Sequence, residues 1–366
     1  MKKRLFAAAV ILSAALTFSG CFPTGEKQQS EGVTVEYKSG DNFKYSKDNL
    51  TVEFTIPETL PQATRIGIKP KAIDREKVIK LFFGERAYTQ GLESEGRLNF
   101  YETDDGVFSL NFNGGRIRFS DNRVCGISVS DGEYPIDYGR IVPYCEPRFW
   151  NFNAPSDNEL VDFPRETALH RAEDLLTQLG IENLTEPEVY PMSVDAIKKI
   201  AEEMSNPVIY NQDLSPEHEC YILRYSQGYD GFELADLPID IGRNHYNTTK
   251  IVLVVTREEI VYFIAECPFE ADFEVLSQEP VKYDFDYALS EFKSFHDAAY
   301  FGEETTIYSS KPVYYPEGIN ESGAVEFVPM WIFEGLSLDA EDGLTRGTRY
   351  VAAIGSDNGI LRQYKE

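Results

Sequence analysis

Asp230, Glu233, Asp236 and Asp240 crowd the stretch "YDGFELADLPIDIG", where several carboxylate oxygens could gather around a hard cation such as Ca²⁺. The alternating acidic run and glycine of an EF-hand loop are missing, and "LDAEDG" at 338–343 fails the same comparison. A solvated acidic loop is the plainer reading. A second group, Tyr144, Phe149 and Trp150 in "YCEPRFWNFNAP", has the rings needed to stack on a sugar or anchor a partner. It also falls where a boundary between domains is expected, so packing between domains competes with ligand capture.

Catalytic patterns are sparse. Gly126-Ile127-Ser128-Val129-Ser130 lacks the second glycine of a nucleophile elbow. His170, His218, His245 and His296 are scattered, and surface or packing roles are expected of them. Sugar hydrolysis would need two carboxylates at a set separation, which spacing cannot single out among 61 acidic residues. No CxxC or HxxxH spacing occurs, so no metal site and no cofactor is expected. The chain reads as a non-enzyme, with a hydrolase the least favoured alternative.

The formal net charge is −26, which disfavours nucleic acid and anionic surfaces as partners. Twenty-two tyrosines and 24 phenylalanines favour strands. Two helix patterns are clear. Residues 164–180, "PRETALHRAEDLLTQLG", put Ala168, Ala172, Leu175, Leu176 and Leu179 on one face, between Pro164 and Gly180. Residues 284–300 align Ala288, Leu289, Phe292, Phe295 and Ala299. Strand-like segments follow each helix; in the first case they include "KIVLVVTREEIVYFIAE", read as a hairpin turning at Arg257–Glu259. An extra helix, "SVDAIKKIAEEMS", has Ser193 as its cap.

The expected class is therefore α+β, built of repeated units of one helix on a three- to four-stranded antiparallel sheet. The expected boundaries are 46–160, 161–275 and 276–366, with a looser copy of the unit starting at Asp74. In such a meander the strand starting at Cys220 runs parallel to the one ending near Cys267, which argues against that disulfide. Cys125 and Cys145 are close enough in sequence to bridge.

The N-terminus is more specific. Lys2, Lys3 and Arg4 precede Leu5–Phe18, an apolar run of signal-peptide length and shorter than the roughly 20 residues of a spanning helix. Ser19, Gly20 and Cys21 follow, and the segment resembles the lipobox of bacterial lipoproteins, with Phe18 where leucine is usual. The resemblance implies a signal peptide over 1–20, diacylation of Cys21 and a tether over 21–45. Loss of the leader takes the formal charge from −26 to −29. Two acyl chains, at about 0.8 kcal/mol per buried methylene, hold a protein firmly to a membrane. The body is then expected on the extracytoplasmic side of the cell membrane.

The helix-then-meander order over 161–366, ending in the turn of "GSDNGILRQY", also resembles PepSY-type modules. It is similar to the extracytoplasmic parts of accessory proteins that restrain sensor kinases in Gram-positive bacteria. That implies a binding or regulatory module for an envelope protein or peptide. A carbohydrate- or Ca²⁺-binding lipoprotein is the alternative.

Overall fold

A computed structural model describes residues 40, 42–47, 49–56, 64–92, 99–113, 115–125, 136–145, 154–203, 214–235, 238–241, 244–247, 250–277, 285–298, 304–338, 345–353 and 362–365. The leader, Cys21, Phe149, Trp150 and Asp236 lie outside them. The protein is α+β, and most of the residues in its described helices and strands lie in two sheets. No helix among the described residues is long and apolar enough to cross a membrane.

The first sheet has eight strands: β4 (Tyr88–Leu92), β5 (Asn99–Thr103), β6 (Phe108–Asn113), β7 (Arg116–Asp121), β8 (Glu188–Met192), β9 (Cys220–Tyr225), β14 (Ile251–Thr256) and β15 (Ile260–Ala265). Their spatial order is β4-β5-β6-β7-β15-β14-β9-β8, and every neighbouring pair is antiparallel. Helices cover both faces. On one side lie α1 (Arg75–Phe83) and α3 (Arg165–Leu179), and on the other α2 (Tyr138–Ile141) and α4 (Val194–Glu203).

That double cover explains the unbroken apolar run of β14. Ile251, Leu253 and Val255 pack with the α1 and α3 residues, while Val252 and Val254 pack with those of α2 and α4. Side chains alternate across a strand, so only a sheet buried on both faces needs apolar residues at every position. Local signals set the helix ends. Asp74 accepts from the Lys77 amide at 3.1 Å, and Ser193 Oγ accepts from the Ala196 amide at 3.2 Å. Gly180 closes α3 with a left-handed φ of 65°.

The second sheet runs β1 (Asn42–Lys47), β2 (Leu50–Thr55), β17 (Glu304–Ile319), β18 (Val325–Leu338), β19 (Thr345–Ala353), β20 (Arg362–Lys365). Helix α5 (Phe285–Ala298) lays Phe285, Ala288, Leu289 and Phe292 against Phe43, Phe54, Trp331 and Phe333. The stretch read as tether therefore ends earlier than 45. Phe43 is buried and faces Phe54 across the β1–β2 pair, so the sheet takes over at Asn42. β2 pairs in parallel with β17, which joins the start of the chain to its last quarter.

Short strands tie the sheets together. The hairpin β10 (Gly228–Tyr229) and β11 (Phe232–Leu234) leaves the end of β9 and adds to β17 in parallel. After β15, strand β16 (Glu274–Val275) pairs with β3 (Ile66–Ile68), which pairs with β18. Strands β12 (Pro238–Ile241) and β13 (Asn244–Asn247) form a separate ribbon.

Cys125, Cys145, Cys220 and Cys267 are all buried, and the Cys125–Cys145 bridge allowed by their spacing is not formed. Burial pushes the Cys125 thiol well up and Cys267 up to about 12, which suppresses the reactive thiolate. Cys220 lies opposite Thr256, whereas Cys267 follows Ala265 at the other end of the sheet.

Two tyrosines of β9 give a direct test of polar burial. The Tyr221 hydroxyl accepts from the Leu160 amide at 2.8 Å and donates to the Phe163 carbonyl at 3.1 Å. The Tyr225 hydroxyl is buried and makes no hydrogen bond among the described residues. An unpaired buried hydroxyl costs free energy, while a paired one contributes about 1 kcal/mol and leaves orphans when removed. Tyr221→Phe should lose about 1–3 kcal/mol. Tyr225→Phe should be neutral or gain up to about 1 kcal/mol. Paired urea titrations read both, and equal losses would refute the distinction.

Candidate functional site

Where the β10–β11 hairpin crosses from one sheet to the other, a cleft of about 370 Å³ opens between them. Glu188 of β8 and Arg224 of β9 line it from the first sheet, and Lys311 of β17 and Glu334 of β18 from the second. Glu233 comes from the hairpin and Glu186 from the approach to β8. Each side chain has a local reason for its place. Glu188 and Arg224 are directly opposed across β8–β9, and Glu233 is opposite Val313, two residues beyond Lys311.

Lys311 Nζ lies 2.8 Å from Glu233 Oε2 and 3.9 Å from Glu334 Oε2. Ser226 Oγ donates to Glu233 Oε1 at 2.7 Å. Arg224 lies 3.6 Å from Glu188, which also accepts from the Tyr190 hydroxyl at 2.9 Å. Burial works to raise the Glu233 carboxyl, but the Lys311 charge, its hydrogen bond and that of Ser226 outweigh burial and hold it below the ordinary value. Burial likewise works to lower Lys311, and the charges of Glu233 and Glu334 hold it above its ordinary value instead.

These shifts keep both groups charged at neutral pH. At neutral pH a protonated Lys311 is no nucleophile, and an ionised Glu233 is no general acid. The arrangement clamps one sheet to the other. Stability contributed by a depressed carboxyl is present above its ordinary pKa and is lost as pH falls through the folded value. The protein should therefore lose stability below about pH 4.5 partly through Glu233. With these side chains 33% and 25% exposed, solvent screens the pair in part. Lys311→Met should therefore cost about 2–3 kcal/mol at pH 7, below the about 3–5 of a fully buried pair, by leaving Glu233 without its main counter-charge. That deficit should shrink in acid, and thermal melts of both proteins at pH 7 and pH 4 would show whether it does.

The clamp also accounts for part of the acidic stretch. Glu233 is committed to Lys311 and Ser226 rather than to a cation. Asp230 is exposed at the tip of the hairpin, where Asp230 and Gly231 carry φ of 50° and 82°. Positive φ at both central positions marks the tight turn that Asp-Gly favours, so a turn explains this aspartate. Asp240 is opposite His245 in the β12–β13 ribbon, with its side chain outside the described residues. Among the described residues no group of three or more His, Cys, Asp or Glu side chains is placed to hold a metal.

Tyr144 is half-buried against Cys145, Tyr190 and their neighbours rather than on an open platform. Trp331, by contrast, is fully enclosed by α5. Lys311, Arg224 and Glu334 carry no local signal in the sequence, because their partners lie on other strands.

A second, more open cleft of about 590 Å³ lies at the β14–β15 turn, lined by Asp121, Arg123, Tyr138, His218, Arg257 and Glu259. Three of its charges pair with one another. Arg123 bridges buried Asp121 and Glu259 at 2.5 and 2.8 Å. The Ser215 amide donates to His218 Nδ1 at 3.0 Å, which caps a short 3₁₀ turn.

No family model matches this sequence, and no curated protein matches it. The fold is similar to the crystal structure of an uncharacterized protein from Eubacterium rectale ATCC 33656 at 1.45 Å resolution. The TM-score is 0.59 at 12% identity, covering 87% of this chain and 93% of that one. At that identity the likeness concerns architecture and carries no residue roles.

Proposed function

We propose that the protein is a lipid-anchored module on the extracytoplasmic face of the cell membrane, attached through diacylglyceryl-Cys21. Its body binds or regulates an envelope protein or peptide and does no catalysis. The observation that carries the non-catalytic reading is the inter-sheet cleft, whose central lysine and glutamate neutralise each other. The sequence Ser19-Gly20-Cys21 after a cationic and apolar leader supports the anchor.

A repeated build is part of the proposal, and three observations support it. α1 precedes the meander β4–β7, α3 precedes β8, β9, β14 and β15, and α5 precedes β17–β20. The PepSY likeness rests on the same order. Carbohydrate or Ca²⁺ capture is the weaker reading, because Asp230 and Glu233 have structural roles and Tyr144 is packed inward.

Mass spectrometry of the native protein should find a diacylglyceryl group on Cys21. Cross-linking on intact cells should recover a specific envelope protein. An unmodified thiol would overturn the anchor, and recovery of no specific protein would overturn the binding role.

A further inference from the structure

Among the described residues the main paths of the two large sheets end in four strands, apart from the two-residue side strands β10 and β16. Three of the four carry residues that discourage pairing with another chain. β1 has Lys44 and Lys47, β20 has Arg362 and Lys365, and β8 has Pro191, with Val189 also bonded by the Ser156 amide at 2.9 Å. The fourth, β4, reads Tyr-Thr-Gln-Gly-Leu, with neither charge nor proline. Tyr88, Thr89 and Gln90 are exposed, and among the described residues β4 pairs only with β5.

The register shows which main-chain groups are unused. Asp104 donates its amide to the Ala87 carbonyl at 2.9 Å, and Tyr88 is opposite Thr103. Bonded and non-bonded pairs alternate in an antiparallel ladder, so Thr89 and Gly91 bond inward to β5. The amides and carbonyls of Tyr88, Gln90 and Leu92 therefore point outward from the sheet.

We propose that β4 is a docking edge that takes an extended segment of a basic partner protein as a ninth strand. This rests on the partner-binding reading above. Main-chain bonds supply affinity in strand addition, and flanking charge selects the occupant. Glu102 is opposite Thr89 and Asp104 bonds to Ala87, while Glu85, Asp105, Glu93 and Glu95 are near in sequence, against Arg86, Arg97 and Arg75, which lies beside Asn99 opposite Leu92. Pairing with a second copy would instead bring together two chains of net charge −26.

The test uses the full chain in detergent, with an octapeptide of alternating lysine and threonine as the probe and its glutamate–threonine counterpart as the control. The basic peptide should slow hydrogen exchange over residues 86–92 several-fold, and the acidic one should not. Gln90→Pro removes one outward amide that the β4–β5 ladder does not use, and should weaken binding at least tenfold. Equal binding to Gln90→Pro, protection elsewhere, binding of both peptides or of neither, or a dimer abolished by Gln90→Pro would each overturn the proposal. Should that variant not fold, exchange on the unaltered chain decides alone. Cell-surface cross-linking separates this idea from the broader one: a partner captured equally by both chains leaves the binding role standing and removes β4 from it.

Discussion

Gly335→Ala is expected to destabilise the second sheet by about 3 kcal/mol or more, a severe effect for one methyl group. Gly335 lies in β18 between Ile307 of β17 and Thr348 of β19. A Cβ there would stand 2.4 Å from the Thr306 carbonyl oxygen, 2.5 Å from Ile307 Cδ1 and 3.1 Å from Ile307 Cα. Two of those three atoms are main chain, so no rotamer change relieves the clash. The ladder must open.

The close approach lies beside the bulge in β17, where the register shifts between Ile307 and Ser309. Gly318 in the same pair is the control, because a Cβ added there meets nothing within 4 Å. Gly318→Ala should change stability by less than about 0.5 kcal/mol. Urea unfolding followed by tryptophan fluorescence suits the test, since Trp331 is buried in that sheet. A Gly335→Ala midpoint equal to that of Gly318→Ala would show that the bulge relaxes freely.

The two glycines also mark what can be read in the sequence. Helices α3, α4 and α5 are evident from apolar spacing, because a helix that buries one stripe writes that stripe into consecutive residues. The β14–β15 hairpin is evident from two apolar runs about Arg257–Glu259. The pairing of β2 with β17 is not evident, although Leu50, Val52 and Phe54 alternate as a half-buried strand should. Nothing local says that these residues meet Thr305–Ile307 some 250 positions away. The region 46–160 consequently does not stand apart as a sheet of its own. Its early strands join the C-terminal sheet, and β4–β7 join the sheet of α3.

The candidate site follows the same rule. Glu233 draws attention as one of several crowded acids, but its partner Lys311 is 78 residues away and its role comes from that pairing. Asp230 is explained by a dipeptide, Asp-Gly, whose turn preference competes with any reading as a ligand.

Gln227 carries the second large effect, at the junction between the sheets. It is completely buried, just after β9. Its Nε2 donates to the carbonyls of Glu182 at 2.9 Å and Phe269 at 3.2 Å, and its Oε1 accepts from the Phe269 amide at 2.7 Å. One amide side chain thus satisfies three main-chain groups from two segments, and Phe269 packs with Phe232, Tyr314 and Phe327 of the second sheet. Gln227→Met keeps much of the volume and removes all three bonds. With orphaned groups costing about 1–3 kcal/mol each and partial relief by water, a loss of about 3–5 kcal/mol is expected. Gln227→Glu should be at least as damaging at pH 7, because a buried carboxylate would face two carbonyl oxygens. Its folded pKa would be raised, so part of the loss should return as pH falls and the new carboxyl becomes a donor. Thermal melts of the three proteins at pH 7 and pH 5 read both effects. Gln227→Met at parental stability, or a Gln227→Glu deficit that deepens in acid relative to the parent, would mean that these bonds do not hold the junction.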